Sequence, residues 1–327
     1  MALAGGVVGT GTACSCTDAA LNTGLTGGGL VTFNCGGPWL IDISPGAGGT
    51  STKTISADTT IDGAGGITIS GGNSVGVFSV DAGVKFTVQN LIIADGHSAA
   101  DGGGIFNRFG GTLTITNSTF SGNYAALVFS GGAIFSGGTL TVTNTVLANS
   151  TVGGNCGGTI TDGGHNIDDG TTCGFTSASG SLSSTNPQLD PAGLRNNAGP
   201  TQTVALCTGA GMPVGCTAAS PAINAGDESV CSAPPVNNLD QRGFVRPGTG
   251  HTQCSIGAYE AAVVAVCTGD CSGTFTVAIN DLITLVNIAL STAQPSACTH
   301  GIPDGAVVDI ALIIQAVNHA LNGCGGG

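Results

Sequence analysis

Between residues 59 and 150 apolar and polar positions alternate in short runs, and the runs recur. FTVQN at 86–90, LTITN at 113–117 and LTVTN at 140–144 align without gaps at offsets of 27 residues. A period of two puts Phe86/Val88, Leu113/Ile115 and Leu140/Val142 on one face and the Thr and Gln side chains on the other, the pattern of a half-buried strand. GVFSV at 76–80, GGGIF at 102–106 and GGAIF at 131–135 supply a second strand per repeat, with glycines where the chain must turn sharply. Twenty-seven residues are too few for a strand–helix–strand unit, which takes roughly 30 or more. The repeat therefore predicts an all-β fold, a right-handed single-stranded parallel β-helix. Asn90, Asn117 and Asn144 fall at one coil position, where stacked amides bond the rungs above and below. Asn also tolerates a left-handed turn, and the two roles are compatible.

The repeat has edges. TTIDGAGGITISG at 59–71 reads as an earlier, less regular coil, and residues 17–42 as an entry cap anchored by Cys35 and Trp39, because the first rung of a solenoid otherwise exposes its apolar end. Residues 1–16 have no Lys or Arg before a weakly apolar run and read as a leader or the remnant of a truncated export signal. NCGGTITDGGHNIDDGTTC at 155–173 reads as a disulfide-closed excursion, and the Pro-, Asn- and Gly-rich stretch to 260 as short irregular strands finishing the helix. The period then changes. Ile279, Leu282, Ile283, Val286, Ala289 and Leu290, and again Ile310, Ile313, Ile314, Val317, Ala320 and Leu321, recur at helical spacing. The expected organisation is a β-helix over 17–260 and a helix pair over 261–327.

Composition narrows the partners. Only 8% of residues are charged, against about a quarter in ordinary globular domains, so the polar surface is built from Thr, Ser, Asn and 58 glycines. A net charge of −13 repels phosphate backbones and anionic headgroups, which argues against nucleic acid. No stretch reaches the roughly 18–20 apolar residues of a spanning helix. Thirteen cysteines without paired zinc-knuckle spacing point to disulfides, and so to an extracellular or cell-surface location. Proximity suggests Cys14 or Cys16 with Cys35, Cys156 with Cys173, Cys207 with Cys216, Cys231 with Cys254, and Cys267, Cys271, Cys298 and Cys324 among themselves. The odd thiol falls to Cys14 or Cys16.

SPAINAGD at 220–227, LDQRGFVRP at 239–247 and CSIGAYE at 254–260 together resemble the C-terminal end of the bacterial choice-of-anchor Q family. GGGIF, GGAIF and TLTVTN resemble the polymorphic-outer-membrane-protein-like β-helical repeats that precede that end, so the resemblance spans about 17–260. It implies a surface or secreted β-helix with a variable anchoring tail and no established enzymatic activity. The tail from about 267 to 324 resembles a degenerate dockerin-type helix pair. Its first loop places Asp270, Ser272, Thr274 and Asp281 at the side-chain ligand positions and Thr276 at the backbone-carbonyl position. Two carboxylates where calcium sites use more imply weak Ca²⁺ binding and no other cofactor. Asp304 and Asp309 are the acids of the second loop, where a metal-free structure is expected.

Two classes of function follow. A non-catalytic, adhesin-like or matrix- and polysaccharide-binding protein would use the hydroxyl and amide ladders and hold a surface protein or other partner through its helix pair. A β-helical polysaccharide lyase or glycoside hydrolase would need paired carboxylates, or a base with cations. The acids on the repeats, Asp62, Asp81, Asp95 and Asp101, with Lys85 and Arg108 as cations, do not recur at one coil position. The densest cluster is Asp95, His97 and Asp101, with Arg108 nearby. Asp162, Asp168 and Asp169 around His165 form a second acidic patch, which Asx turns explain as well as a cation does. The balance leans away from an enzyme.

Overall fold

The alternation is realised as parallel strands stacked rung on rung in a β-solenoid of about five turns. The computed structural model describes residues 5–36, 39–127, 130–196, 202–234, 236–242, 244–248, 250–261, 268–272, 277–298, 301–302 and 308–322. The chain divides into two compact units, 1–261 and 262–327.

In the larger unit one long sheet carries two strands of each rung. Thr59–Ser70 pairs with Lys85–Ala94, which pairs with Thr112–Thr116 and Thr119–Ser121, and these with Thr139–Thr143 and Val146–Ala148. Phe86, Leu113 and Leu140 share one register column and Val88, Ile115 and Val142 another. All six are buried. A shorter sheet of Lys53–Ile55, Phe78–Val80, Ile105–Asn107, Ile134–Ser136 and Cys156–Gly158 closes each rung from the opposite side. Phe78 and Phe86 meet across the interior with ring centroids 5.2 Å apart.

Asn90, Asn117 and Asn144 serve both roles expected of them. Each sits in the left-handed region, at φ of 53°, 50° and 50°. Their amides form a buried ladder: Asn144 Nδ2 donates to Asn117 Oδ1 at 2.9 Å, Asn117 Nδ2 to Asn90 Oδ1 at 2.8 Å, and Asn90 Nδ2 to Asp62 Oδ1 at 3.0 Å. Water cannot reach these groups, so each must find its partner in the next rung.

The N-terminal end is closed by α1 (Asp18–Leu25), whose Leu21 is buried in the solenoid core and whose cap residue Thr17 accepts from Ala20 N. Val7–Val8 pairs with Gly29–Phe33 and Val8 is buried, so part of the stretch read as a leader is folded into the first rung. Asp18 forms a buried ion pair with Lys53, and Cys16–Cys35 ties the cap to the strand beyond it.

At the other end the structure departs from the sequence reading. Residues 182–261 do not simply finish the helix with further strands. Much of this segment turns back along the flank of the rungs already built: Gly257 N donates to Asn144 O (3.0 Å), Ala258 N to Thr119 Oγ1 (3.2 Å) and Gln241 Nε2 to Ile67 O (2.8 Å). With few alternating apolar residues, this segment adds no rung to the parallel ladders among the described residues beyond short elements such as the antiparallel pair Arg195–Asn196 and Gln202–Thr203. It satisfies its backbone against the ladder instead.

Disulfides Cys156–Cys173, Cys207–Cys216 and Cys231–Cys254 complete the first unit, and Cys14 is exposed as a free thiol. The first unit also holds the five-residue α-helix α2 (Glu228–Ser232), and among the described residues the second unit holds the α-helices α3 (Ile279–Ala289) and α4 (Ile310–Asn322). They pack through Leu285, Ile288, Leu312 and Ala316 beside the Cys271–Cys298 disulfide. Cys267 and Cys324 lie outside the described residues. Among those residues no helix is long and apolar enough to cross a membrane.

Candidate functional site

The short sheet lines a concavity on the surface of the first unit. In each of its strands the first residue, such as Ile105 or Ile134, is buried, so the middle residue faces outward. Register aligns Thr54, Ser79, Phe106, Phe135 and Gly157 in one outward column. Small hydroxyls on the first rungs give way to two phenyl rings, whose centroids lie 5.8 Å apart at a 44° tilt. The backbone turn between Asp95 and His97 starts a separate two-residue strand, and a parallel pairing sets His97 beside Tyr124. Their rings stack at 4.4 Å and 11°.

The result is a groove of about 470 Å³ lined by Thr54, Ser79, His97, Asp101, Phe106 and Arg108 among others. The Arg108 guanidinium lies 5.9 Å from the Phe106 ring centre, donates from Nε to Ser79 Oγ at 3.3 Å, and sits 3.7 Å from Asp81 Oδ1. Both members of that ion pair are more than a third exposed, so it orients the arginine more than it stabilises the fold. Three of the four residues singled out from sequence, His97, Asp101 and Arg108, thus line one groove. Asp95 does not. It stands at a left-handed turn (φ 51°), where burial first and the Asp42 carboxylate second push its pKa up. Asp101 is the carboxylate among the described lining residues.

Sequence reasoning missed the aromatic column. In GGGIF and GGAIF two apolar residues sit side by side, so alternation requires one to point outward, yet both look like core. That adjacency was the available signal.

The acidic patch around His165 is occupied by its own backbone and neighbours. Asp162 accepts from Gly164 N, Asn166 Nδ2, Ser181 Oγ, Thr176 N and Ser179 Oγ at 2.5–3.1 Å. Burial works to raise its pKa, but these hydrogen bonds outweigh it and hold the carboxyl below its usual range. Asp168 accepts from Asn155 Nδ2, Gly170 N and Cys173 N, Asp169 from Asn149 N, and His165 Nδ1 contacts Ala225 O. Among the described residues no three metal-ligating side chains converge anywhere.

The three strings at 220–227, 239–247 and 254–260 assemble a buried clamp on the asparagine ladder. Arg246, fully buried, donates from Nη1 to Asn117 Oδ1 (2.6 Å) and Ser255 O (3.2 Å) and from Nη2 to Gly257 O (2.7 Å). Its Nε faces Glu260 Oε2 at 3.8 Å. Glu260 accepts from Ser255 N, Ser255 Oγ and Gly248 N. Asp240 accepts from Arg242, Phe244 N and Glu260 N, while the Arg242 guanidinium lies over the Tyr259 ring at 3.6 Å. Asp227 N donates to Asn144 Oδ1, and Cys231–Cys254 lies against the same amide. Burial lowers the Arg246 pKa, opposed by Glu260 and Asp240. These residues position the fold.

In the tail, Ser272 Oγ donates to Asp270 Oδ1 at 3.0 Å, and Asp281 Oδ2 accepts from Ala278 N at 2.9 Å, capping α3. Thr274, Thr276 and Asp304 lie outside the described residues. Compared with known protein families, curated proteins and solved structures, the chain shows no match.

Proposed function

We propose that this chain is a secreted or cell-surface, non-catalytic, adhesin-like β-helix that binds polysaccharide along the groove of its short sheet, with the helix pair as its attachment module. The observation that carries the reading is that Phe106, paired outward with Phe135, and His97, stacked on Tyr124, line the same groove. Flat apolar faces next to hydroxyl and charged hydrogen-bonding groups suit a pyranose, which offers C–H bonds on its faces and hydroxyls at its rim. Five disulfides among the described residues support an oxidising, extracellular setting.

Titration calorimetry against neutral and acidic polysaccharides tests this. Phe106→Ala and Tyr124→Ala should each weaken binding about tenfold or more, corresponding to about 1.4 kcal/mol, with the urea midpoint unchanged. Reducing ends or unsaturated products that disappear with Asp101→Ala would instead establish the lyase or hydrolase reading. Absence of binding to every polysaccharide would remove the proposal.

A further inference from the structure

The helix pair leaves its most regular apolar surface uncovered. Ile279, Ile283, Val286 and Leu290 on and just beyond α3, and Ile310, Ile314, Val317 and Leu321 on α4, are between 38% and 77% exposed. Both sets are spaced four, three and four residues apart, the d–a–d–a seam of a coiled coil. A single apolar residue on a surface needs no explanation, but eight aliphatic side chains in two matching seams do.

The two helices repeat each other at an offset of 31 residues, and the match falls on the outward side. Ile279 matches Ile310, Ile283 matches Ile314, Val286 matches Val317 and Leu290 matches Leu321. Inward positions differ: buried Asp281 corresponds to buried Leu312, and buried Leu285 to buried Ala316. Each member solves its own packing differently while both present the same seam.

We infer that this surface is a self-association site, and that its occupant is the helix pair of a second copy of this chain. Two like seams on one module are self-complementary about a two-fold axis, the seam of α3 in one copy meeting that of α4 in the other and the reverse, which closes the assembly at two. The eight side chains present on the order of 800 Å², about what each partner contributes to a standard interface. Charge selects against the other occupants. Residues 262–327 contain no Lys or Arg, so nothing draws the seams to an anionic membrane. Asn280, Asn287 and Asn318 beside the seams are uncharged, and the exposed carboxylate of Asp309 lies at one end, next to Ile310, where a second copy can leave it in solvent.

The dimer stands independently of what the groove binds. If the glycan reading holds, pairing would join two grooves in one particle and raise the apparent affinity for a repeating polymer without any new contact.

Sedimentation velocity of the full chain should give a particle of twice 31.5 kDa. The double variants Ile283→Asp/Ile314→Asp and Ile279→Glu/Ile310→Glu should each raise the dimer dissociation constant at least tenfold. These side chains are already exposed, so far-UV circular dichroism and the count of free thiols should stay as in the parent chain. Two separate pairs keep the test decisive if one variant misfolds. A monomer at about 0.1 mM, meaning that the chain's own surfaces or a different partner cover the seams, would overturn the inference. So would an open-ended polymer, or a dimer indifferent to both double variants.

Discussion

The two sides of the asparagine ladder are held by opposite means. On the solenoid side every contact is repeated: the same apolar column, the same turn and the same amide bond recur at 27-residue intervals. On the returning side nothing repeats. One guanidinium, Arg246, reaches the middle amide of the ladder, and two carboxylates, Glu260 and Asp240, organise the loops around it. A repeated contact spreads its contribution over many rungs, so losing one member is tolerated by its neighbours. A buried ion held by single partners has no such reserve.

Replacing Arg246 tests the comparison most severely. Arg246→Met should cost about 3–5 kcal/mol, because Glu260 stays buried without its counter-ion and Asn117 Oδ1 and the two backbone carbonyls without their donor. Arg246→Lys should not restore it, since an ammonium cannot span the acceptors that Nη1 and Nη2 reach together. Urea unfolding measures both. A loss below about 1 kcal/mol would mean the returning segment is a passive cover.

Asn117→Ala should cost less, about 1–3 kcal/mol, by stranding the donors of Asn144 and Arg246. In the same rung Thr114→Ala, on the solvent side, should stay within about 0.5 kcal/mol. Equal effects at both positions would show that the ladder contributes nothing beyond the strand.

The smallest effect is one of pH. Asp162 has a folded pKa below its unfolded value, so the stability it contributes is present above about pH 3.9 and is lost as pH falls through the lower folded value. Asp95 has the opposite sign. Its folded pKa is raised, so its ionised form opposes folding at neutral pH and that cost disappears as pH falls through the raised value. Asp162→Asn should therefore flatten the acid limb of the stability curve. Asp95→Asn should raise stability at pH 7 and leave it little changed in acid. Denaturation midpoints from pH 2 to 7 check both signs.

The division between repeat and non-repeat also governs what could be read from sequence. Leu113, Ile115, Leu140 and Val142 announced their facing because alternation over five residues admits one assignment, and the 27-residue offset carried it to the next rung. Cysteines close in sequence pointed to the observed pairs Cys156–Cys173, Cys207–Cys216 and Cys231–Cys254 because few residues separate them. The groove was half legible. His97, Asp101 and Arg108 stood out as polar residues in an apolar repeat, whereas Phe106 and Phe135 were hidden beside Ile105 and Ile134. The clamp was not legible, since the contact of Arg246 with Asn117 spans 129 residues and leaves no periodic trace.

That span bears on the order in which the molecule is made. A chain leaving the ribosome N-terminus first has its rungs, joined over 27 residues, available to stack before Arg246 has been synthesised. Loop closure also favours the shorter spans. The guanidinium therefore arrives at a ladder whose acceptor is already in place, and it loses its water in the same step in which it gains Asn117. Assembly in that direction never requires an exposed row of amides to wait for an ion already stripped of solvent, which gives a biosynthetic reason for putting the clamp after the repeat and not before it.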